Sequence, residues 1–207
     1  MSVFTTPVLT PILRGIARVL FRLCGWRAVP DARMRAPFVF IGAPHTSNWD
    51  FVLLLGAMLI LKLDIRWMGK HTLFRFPFGG VMRWLGGIPV NRSRAHNRVA
   101  DIVAEFARDP DLIVCIPPEG TRKKVERWKT GFYRIAHGAG VPIMMTVIDA
   151  EQRLMRLIDV FHPTGDIDRD MPLIQQHYLG FRGLRPEHAF EFPDLRGGQH
   201  SGPGASQ

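Results

Sequence analysis

The feature that most constrains this chain is Phe38-Val39-Phe40-Ile41-Gly42-Ala43-Pro44, followed by His45-Thr46-Ser47-Asn48-Trp49-Asp50 and an apolar run over 51–61. A short segment rich in Phe, Val and Ile, with no polar alternation, reads as a strand buried on both faces. Gly42 and Pro44 end it. The run 51–61 falls well short of the ~20 apolar residues a bilayer span takes and reads as a core helix. His45 and Asp50 therefore sit on a strand-to-helix turn, where open α/β sheets collect their chemistry. Taken alone, the pair is also explained by a carboxylate capping a helix start.

The same alternation continues along the chain. Segments 65–68 and 88–91 read as strands, the second ending at Arg92. Ser93 then caps an amphipathic helix to about Arg108, with Val99, Ile102, Val103 and Phe106 on its inner face. A strand over 112–116 delivers a loop, and a helix over 130–137 stops at Gly138 or Gly140. Segments 141–148 and 153–160 complete the strands. Strands alternating with helices predict a single α/β domain, a mostly parallel central sheet flanked by helices on both faces. We place an N-terminal amphipathic helical segment at 1–30, the domain at 31–196, and a disordered Gly/Ser/Pro-rich tail at 197–207.

Thr10-Pro11 reads as a helix start, Thr as N-cap and Pro at the first helical position, with Gly25 as the stop. Arg14, Arg18 and Arg22 are spaced by four and form one narrow basic stripe on an otherwise apolar helix. Such charge excludes a membrane span, and no cleavage site follows an unbroken apolar core. The helix either docks on the domain with a solvated arginine face or lies in a membrane interface, arginines toward the headgroups. Farther on, Phe74, Phe76, Phe78 and Trp84 interleave with Arg75 and Arg83. Such aromatics pack beside snorkelling arginines, line an acyl tunnel or touch a membrane.

Four blocks occur in order. They are the His45–Asp50 pair; Gly69-Lys70-His71-Thr72-Leu73-Phe74, leading through Pro77-Phe78-Gly79 to Gly86-Gly87-Ile88-Pro89-Val90-Asn91-Arg92; Pro118-Glu119-Gly120-Thr121-Arg122 with Lys129-Thr130-Gly131; and Val141-Pro142-Ile143. Over about 38–147 this order resembles the pattern of the glycerolipid acyltransferases, the lysophosphatidate (1-acylglycerol-3-phosphate) acyltransferase family. The resemblance implies acyl transfer from acyl-CoA or acyl carrier protein to a lysophospholipid hydroxyl, foremost lysophosphatidate, giving phosphatidate. It implies no metal and no cofactor beyond the thioester co-substrate. His45 would be the general base, oriented by Asp50, and Lys70, Arg92, Glu119, Gly120, Thr121 and Arg122 would hold the substrate. The third block departs from the family in Ile116-Pro117 and Lys123, and the fourth in Val147-Ile148-Asp149, which leaves acceptor identity open.

The residue types suit that chemistry. An alcohol attacking a thioester must lose its proton, and a free imidazole, titrating near ~6.5, accepts it at neutral pH. A carboxylate on the other ring nitrogen fixes the tautomer and stabilises the imidazolium. Guanidinium groups such as Arg92 and Arg122 grip phosphate in bidentate fashion, and Gly120 allows close backbone approach. Glu119 with Arg122 also fits a turn-stabilising ion pair. Ser47 lacks a nucleophile-elbow context, and Cys115 reads as a buried strand residue.

Net charge +9 and a pI near 10.5 call for an anionic partner. Anionic membrane lipids and an acidic carrier protein fit, whereas no nucleic-acid motif is present. Two distant cysteines without metal-ligand spacing point to a reducing compartment. The expected location is the cytoplasmic face of a membrane, peripheral or monotopic. The other readings are acylation of an ornithine- or aminolipid precursor, or a non-catalytic lipid-binding protein, against which an intact His45–Asp50 pair speaks.

Overall fold

The structure, a computed structural model, describes residues 1–90 and 95–192. Seven strands form one sheet: β1 (Arg27–Ala28), β2 (Phe38–Ala43), β3 (Ile65–Lys70), β4 (Gly87–Val90), β5 (Ile113–Cys115), β6 (Ile143–Asp149) and β7 (Leu154–Phe161), ordered β1-β7-β6-β2-β5-β3-β4. Every neighbouring pair is parallel except β6 with β7. Central β2 pairs Val39 with Ile143 on one side and with Val114 on the other.

Alternation along β2 divides the core into two layers. Phe38 and Phe40 face α1 (Leu9–Leu23), α2 (Trp49–Leu61) and α3 (Gly79–Trp84). Val39 and Ile41 face α4 (Ala95–Arg108), α5 (Gly131–Ala139) and α6 (Ile167–Gln176). A strand covered on both sides has no use for polar alternation, which is why 38–43 is almost uninterruptedly apolar. The expected fold class is the one observed.

Some expectations shift. Arg153 does not open β7. It sits at φ 50 in the β6–β7 turn, beside Gln152, whose N–H donates to Asp149 Oδ1 at 2.9 Å. The apolar helix α2 is only half a core helix, because Val52 stays 53 % exposed. Ser93, Arg92 and the tail 197–207 lie outside the described residues.

The N-terminus needs a larger correction. Thr10 does not cap α1. It lies inside the helix, buried, with its hydroxyl turned onto the carbonyls of Thr6 (2.7 Å) and Val3 (2.9 Å), and Val8 occupies the cap position. A preceding turn supplies those carbonyls, so the hydroxyl bonds backward rather than forward. That turn is anchored by the Val3 N–H on the Trp84 carbonyl (2.7 Å) and by Trp84 Nε1 on Thr6 Oγ1 (2.9 Å). Phe4 enters the core and β1 joins the sheet, so residues 1–30 are continuous with the domain.

Helix α1 docks on α2. Phe21 lies against Gly56, where a Cβ would come within 2.7 Å of its ring, and Arg14 Nε donates to the Leu59 carbonyl at 2.8 Å. The far side of α1 is nonetheless apolar and exposed through Leu9, Ile12, Ile16, Val19 and Leu23. No helix among the described residues is long and apolar enough to cross a membrane.

This docking has a measurable consequence. Phe21→Ala should cost about 3 kcal/mol in urea unfolding, the scale for emptying a buried aromatic site. Val19→Ser on the exposed side should shift stability by less than about 0.5 kcal/mol. Equal effects would mean that α1 does not pack on α2.

Candidate active site

The carboxyl ends of β2, β3 and β5 bring the sequence blocks to one edge of the sheet. Beyond Ala43 the chain turns through Pro44 and enters α2 at Trp49, so Asp50 falls in the first helical turn. Its side chain reaches back to the loop that precedes the helix. Oδ2 accepts the N–H groups of Thr46 at 2.7 Å and Ser47 at 2.8 Å. An anion here also meets the positive end of the helix dipole.

The folded-back loop carries His45 over the same oxygen, with Nδ1 3.2 Å from Asp50 Oδ2. The carboxylate side chain is 1 % exposed and the imidazole 21 %. Nδ1 thus faces a buried acid, while no described residue engages Nε2, the nitrogen left to take a proton from an incoming hydroxyl. Ser47 Oγ accepts the Trp49 N–H at 3.2 Å.

Glu119 is placed differently from the expectation. It is buried, and its Oε1 accepts the His45 backbone N–H at 3.1 Å. It forms no ion pair with Arg122, which points outward and exposed. Burial pushes the Glu119 carboxyl above its ordinary value; its own N–H, that of His45 and the His45 ring charge oppose the shift, and the Asp50 charge adds to it least. Glu119 therefore ties the third block to the first. The sequence offers substrate contact or an ion pair with Arg122 for Glu119 and not this bond, because a contact 74 residues away has no local signature.

Around it the loop is tightly drawn. Gly120 sits at φ 63, where a side chain would be strained, with the Lys129 stem against it; a Cβ would meet Lys129 Cδ at 2.9 Å and push that stem aside. Lys129 N–H donates to the Pro118 carbonyl at 2.8 Å. Thr121 is half-buried, its Oγ1 accepting the Lys123 N–H at 3.4 Å. Lys70 ends β3, exposed on the same edge.

The sequence reading missed a C-terminal strap. Thr46 Oγ1 accepts the Arg185 N–H at 3.1 Å, and His188 Nδ1 lies 3.3 Å from the Thr46 carbonyl. Gly183 passes so close that a Cβ would be 2.5 Å from Thr46 Oγ1. Farther along, Phe190 and Phe192 pack with Trp128 and Lys124 pairs with Glu191 at 2.6 Å, so the strap holds the third-block loop as well. Its Gly and Pro residues carry no period that would have revealed it; Gly183 beside a basic residue was the only clue.

The sequence model of the Acyltransferase family matches residues 28–149, more than half of the chain. The 1-acyl-sn-glycerol-3-phosphate acyltransferase of Escherichia coli (strain K12) is 30 % identical over 138 residues, covering 63 % of this chain and 54 % of that protein. The enzyme of the same name from Salmonella typhimurium is 33 % identical over 125 residues, 57 % of this chain and 49 % of that protein. The chain spans about half the length of these curated relatives. The crystal structure of the 1-acyl-sn-glycerophosphate (LPA) acyltransferase PlsC from Thermotoga maritima aligns with a TM-score of 0.56 at 15 % identity. The alignment covers 81 % of this chain and 76 % of that one, a likeness of fold.

Burial pushes the Cys115 thiol up to about 12, so it holds its proton at neutral pH, while Cys24 is exposed. A thiol reagent should label one cysteine of the folded protein at pH 8 and both after denaturation. Rapid native labelling of Cys115 would restore it as a candidate nucleophile.

Proposed function

The chain belongs to the acyltransferase family, and from that premise we propose that it moves a fatty acyl group from acyl-CoA or acyl carrier protein to a lysophospholipid hydroxyl, foremost 1-acylglycerol-3-phosphate. The observation that carries this reading is His45 Nδ1 held 3.2 Å from the buried Asp50 carboxylate. The names of the curated relatives support the acceptor class.

The acceptor hydroxyl attacks the thioester carbonyl as His45 Nε2 takes its proton. Asp50 stabilises the resulting imidazolium, which a buried carboxylate fixed by two backbone N–H groups does without moving. The tetrahedral adduct then expels the thiolate, which leaves as thiol with the proton returned from His45. One C–O bond forms, one C–S bond breaks, and no acyl-enzyme intervenes. Arg122 and Lys70, exposed on the same sheet edge, are suited to the acceptor phosphate, Arg122 by its bidentate fork. Arg92 lies outside the described residues and keeps its assignment from the sequence.

Membrane attachment, on the cytoplasmic face, belongs to the same reading. Beside the outward stripe of α1, Phe76, 98 % exposed, and Phe78, Leu73 and Val81 are exposed in the segment whose Phe74 and Met82 pack into the same core layer as α1. An apolar surface of this kind is supported best by a bilayer, in which the lipid substrate also resides. Trp49, next to Asp50 at the start of α2, is a further exposed aromatic at the rim of the site.

Two tests follow from this reading. In a thioester-donor assay over a panel of lyso-lipids, His45→Ala should abolish transfer and Asp50→Asn should lower it by about 10²-fold or more. Arg122→Ala should reduce kcat/KM for the phosphorylated acceptor about tenfold or more, the donor KM holding steady and Arg122→Lys recovering part. Unimpaired transfer by folded His45→Ala would end this mechanism. For attachment, joint replacement of Ile12, Ile16 and Val19 by Ser should release the folded protein from vesicles. At ~1.5–3 kcal/mol for each fully buried chain, partitioning should fall by orders of magnitude. Unchanged vesicle binding would mean that the stripe does not meet lipid.

A further inference from the structure

At the C-terminal end of α1, a groove of about 450 Å³ opens between that helix and the edge strand β1. Phe21, Trp26 and Ile60 form an apolar floor, and Arg18, Arg22 and Arg27 border it. Arg18 and Arg22 stand one helical turn apart, a like-charge spacing that costs a helix stability rather than adding to it. Arg27 approaches from β1 and adds a third cation. All three are exposed, and no described acidic side chain forms an ion pair with any of them. Guanidinium groups gathered without an acid present the forked donors that phosphate oxygens match.

The groove also has a direction. On α1, Ala17 and Phe21 face the domain, while Ile12, Ile16, Val19 and Leu23 face outward. The arginines occupy the flank between those two faces, at the border of the outward stripe. Resting on the membrane reading above, that border is the level at which lipid headgroups lie, with the apolar floor within reach of an acyl chain. A free phosphate would match the guanidinium groups and leave the floor wet. A lipid with a neutral headgroup would cover the floor and leave the cations unmatched.

We propose that this groove is a binding site for one anionic phospholipid of the bilayer, separate from the acceptor site at His45. Its phosphate lies among Arg18, Arg22 and Arg27, and its chain runs over Trp26 and Phe21. The bound lipid neutralises the cluster and fixes the angle at which α1 lies on the membrane.

The test uses a short-chain lipid that requires no bilayer. Titrating the full chain with monomeric dihexanoylphosphatidylglycerol should give saturable binding, read by tryptophan fluorescence, at least about tenfold tighter than dihexanoylphosphatidylcholine. Trp26→Phe should remove the signal. Each of Arg18→Gln, Arg22→Gln and Arg27→Gln should weaken binding about fivefold, and the triple variant by about 10²-fold. A charge-matched control, Arg134→Gln with Arg169→Gln and Arg182→Gln, should bind as the parent does. Absence of saturable binding, or an equal loss in the control, would overturn the site. A chain that binds the monomeric lipid but no vesicle overturns the membrane reading instead. A chain that binds vesicles but not the monomeric anionic lipid overturns the groove alone.

Discussion

The geometry depends on a buried carboxylate at the head of a helix. Asp50 is almost fully removed from water; its Oδ1 has no hydrogen bond from a described residue, so the charge is held through Oδ2 alone. Its Oδ2 gathers the Thr46 and Ser47 N–H groups, and these two bonds bend 44–48 back over the first turn of α2. The bend brings Nδ1 of His45 to the same oxygen. Spacing in the sequence thus becomes geometry through backbone donors, before any substrate is present. The acid that orients the imidazole is also the acid that shapes its loop.

A second buried carboxyl, Glu119, holds the loop from the other side, and the two differ in setting. Glu119 accepts the His45 N–H with one oxygen, and its other oxygen, like Asp50 Oδ1, has no hydrogen bond from a described residue; the difference is that the imidazole lies against Asp50. Burial raises its pKa against the backbone N–H groups and the His45 charge that oppose the shift. The same burial that shifts Glu119 leaves it in place as the acceptor that ties the third block to the backbone of His45. Both acids accept backbone N–H groups, but those on Asp50 come from a helix start and shape the loop under the imidazole, whereas the His45 N–H on Glu119 joins two blocks distant in sequence.

Much of this was legible in residue order. The apolar run 38–43, its Gly-Pro stop and the alternation of strands with helices gave the sheet, and the His–Asp spacing gave the turn. What could not be read is what distant segments do to one another. Thr10-Pro11 has the composition of a helix start, yet the carbonyls of an earlier turn capture the Thr10 hydroxyl. Docked and interfacial readings of α1 were posed as alternatives, and the helix has apolar residues enough for both faces: Ala17 and Phe21 inward, Ile16 and Val19 outward, arginines between. The resemblance sets Glu119 among the substrate-holding residues and its spacing also fits an ion pair with Arg122; neither reveals the backbone of His45 as its hydrogen-bond partner, on another strand's loop.

The strap 183–188 answers an entropic problem at the site. Fixing a loop residue costs about 1–2 kcal/mol of backbone entropy, and a typical hydrogen bond returns about 1 kcal/mol net. No single tie can hold 44–48 in one conformation. Asp50 grips it from α2, Glu119 from the loop after β5, and Thr46 is bound from a third direction by the Arg185 N–H. That third tie lies beyond the stretch matched by the family, 28–149. Its geometry demands glycine at 183, since any Cβ there would press on the Thr46 hydroxyl. A shared catalytic pattern therefore rests here on a brace supplied from outside it. The brace touches Thr46, next in sequence to His45, so small changes in 183–188 reach the imidazole through one residue of backbone.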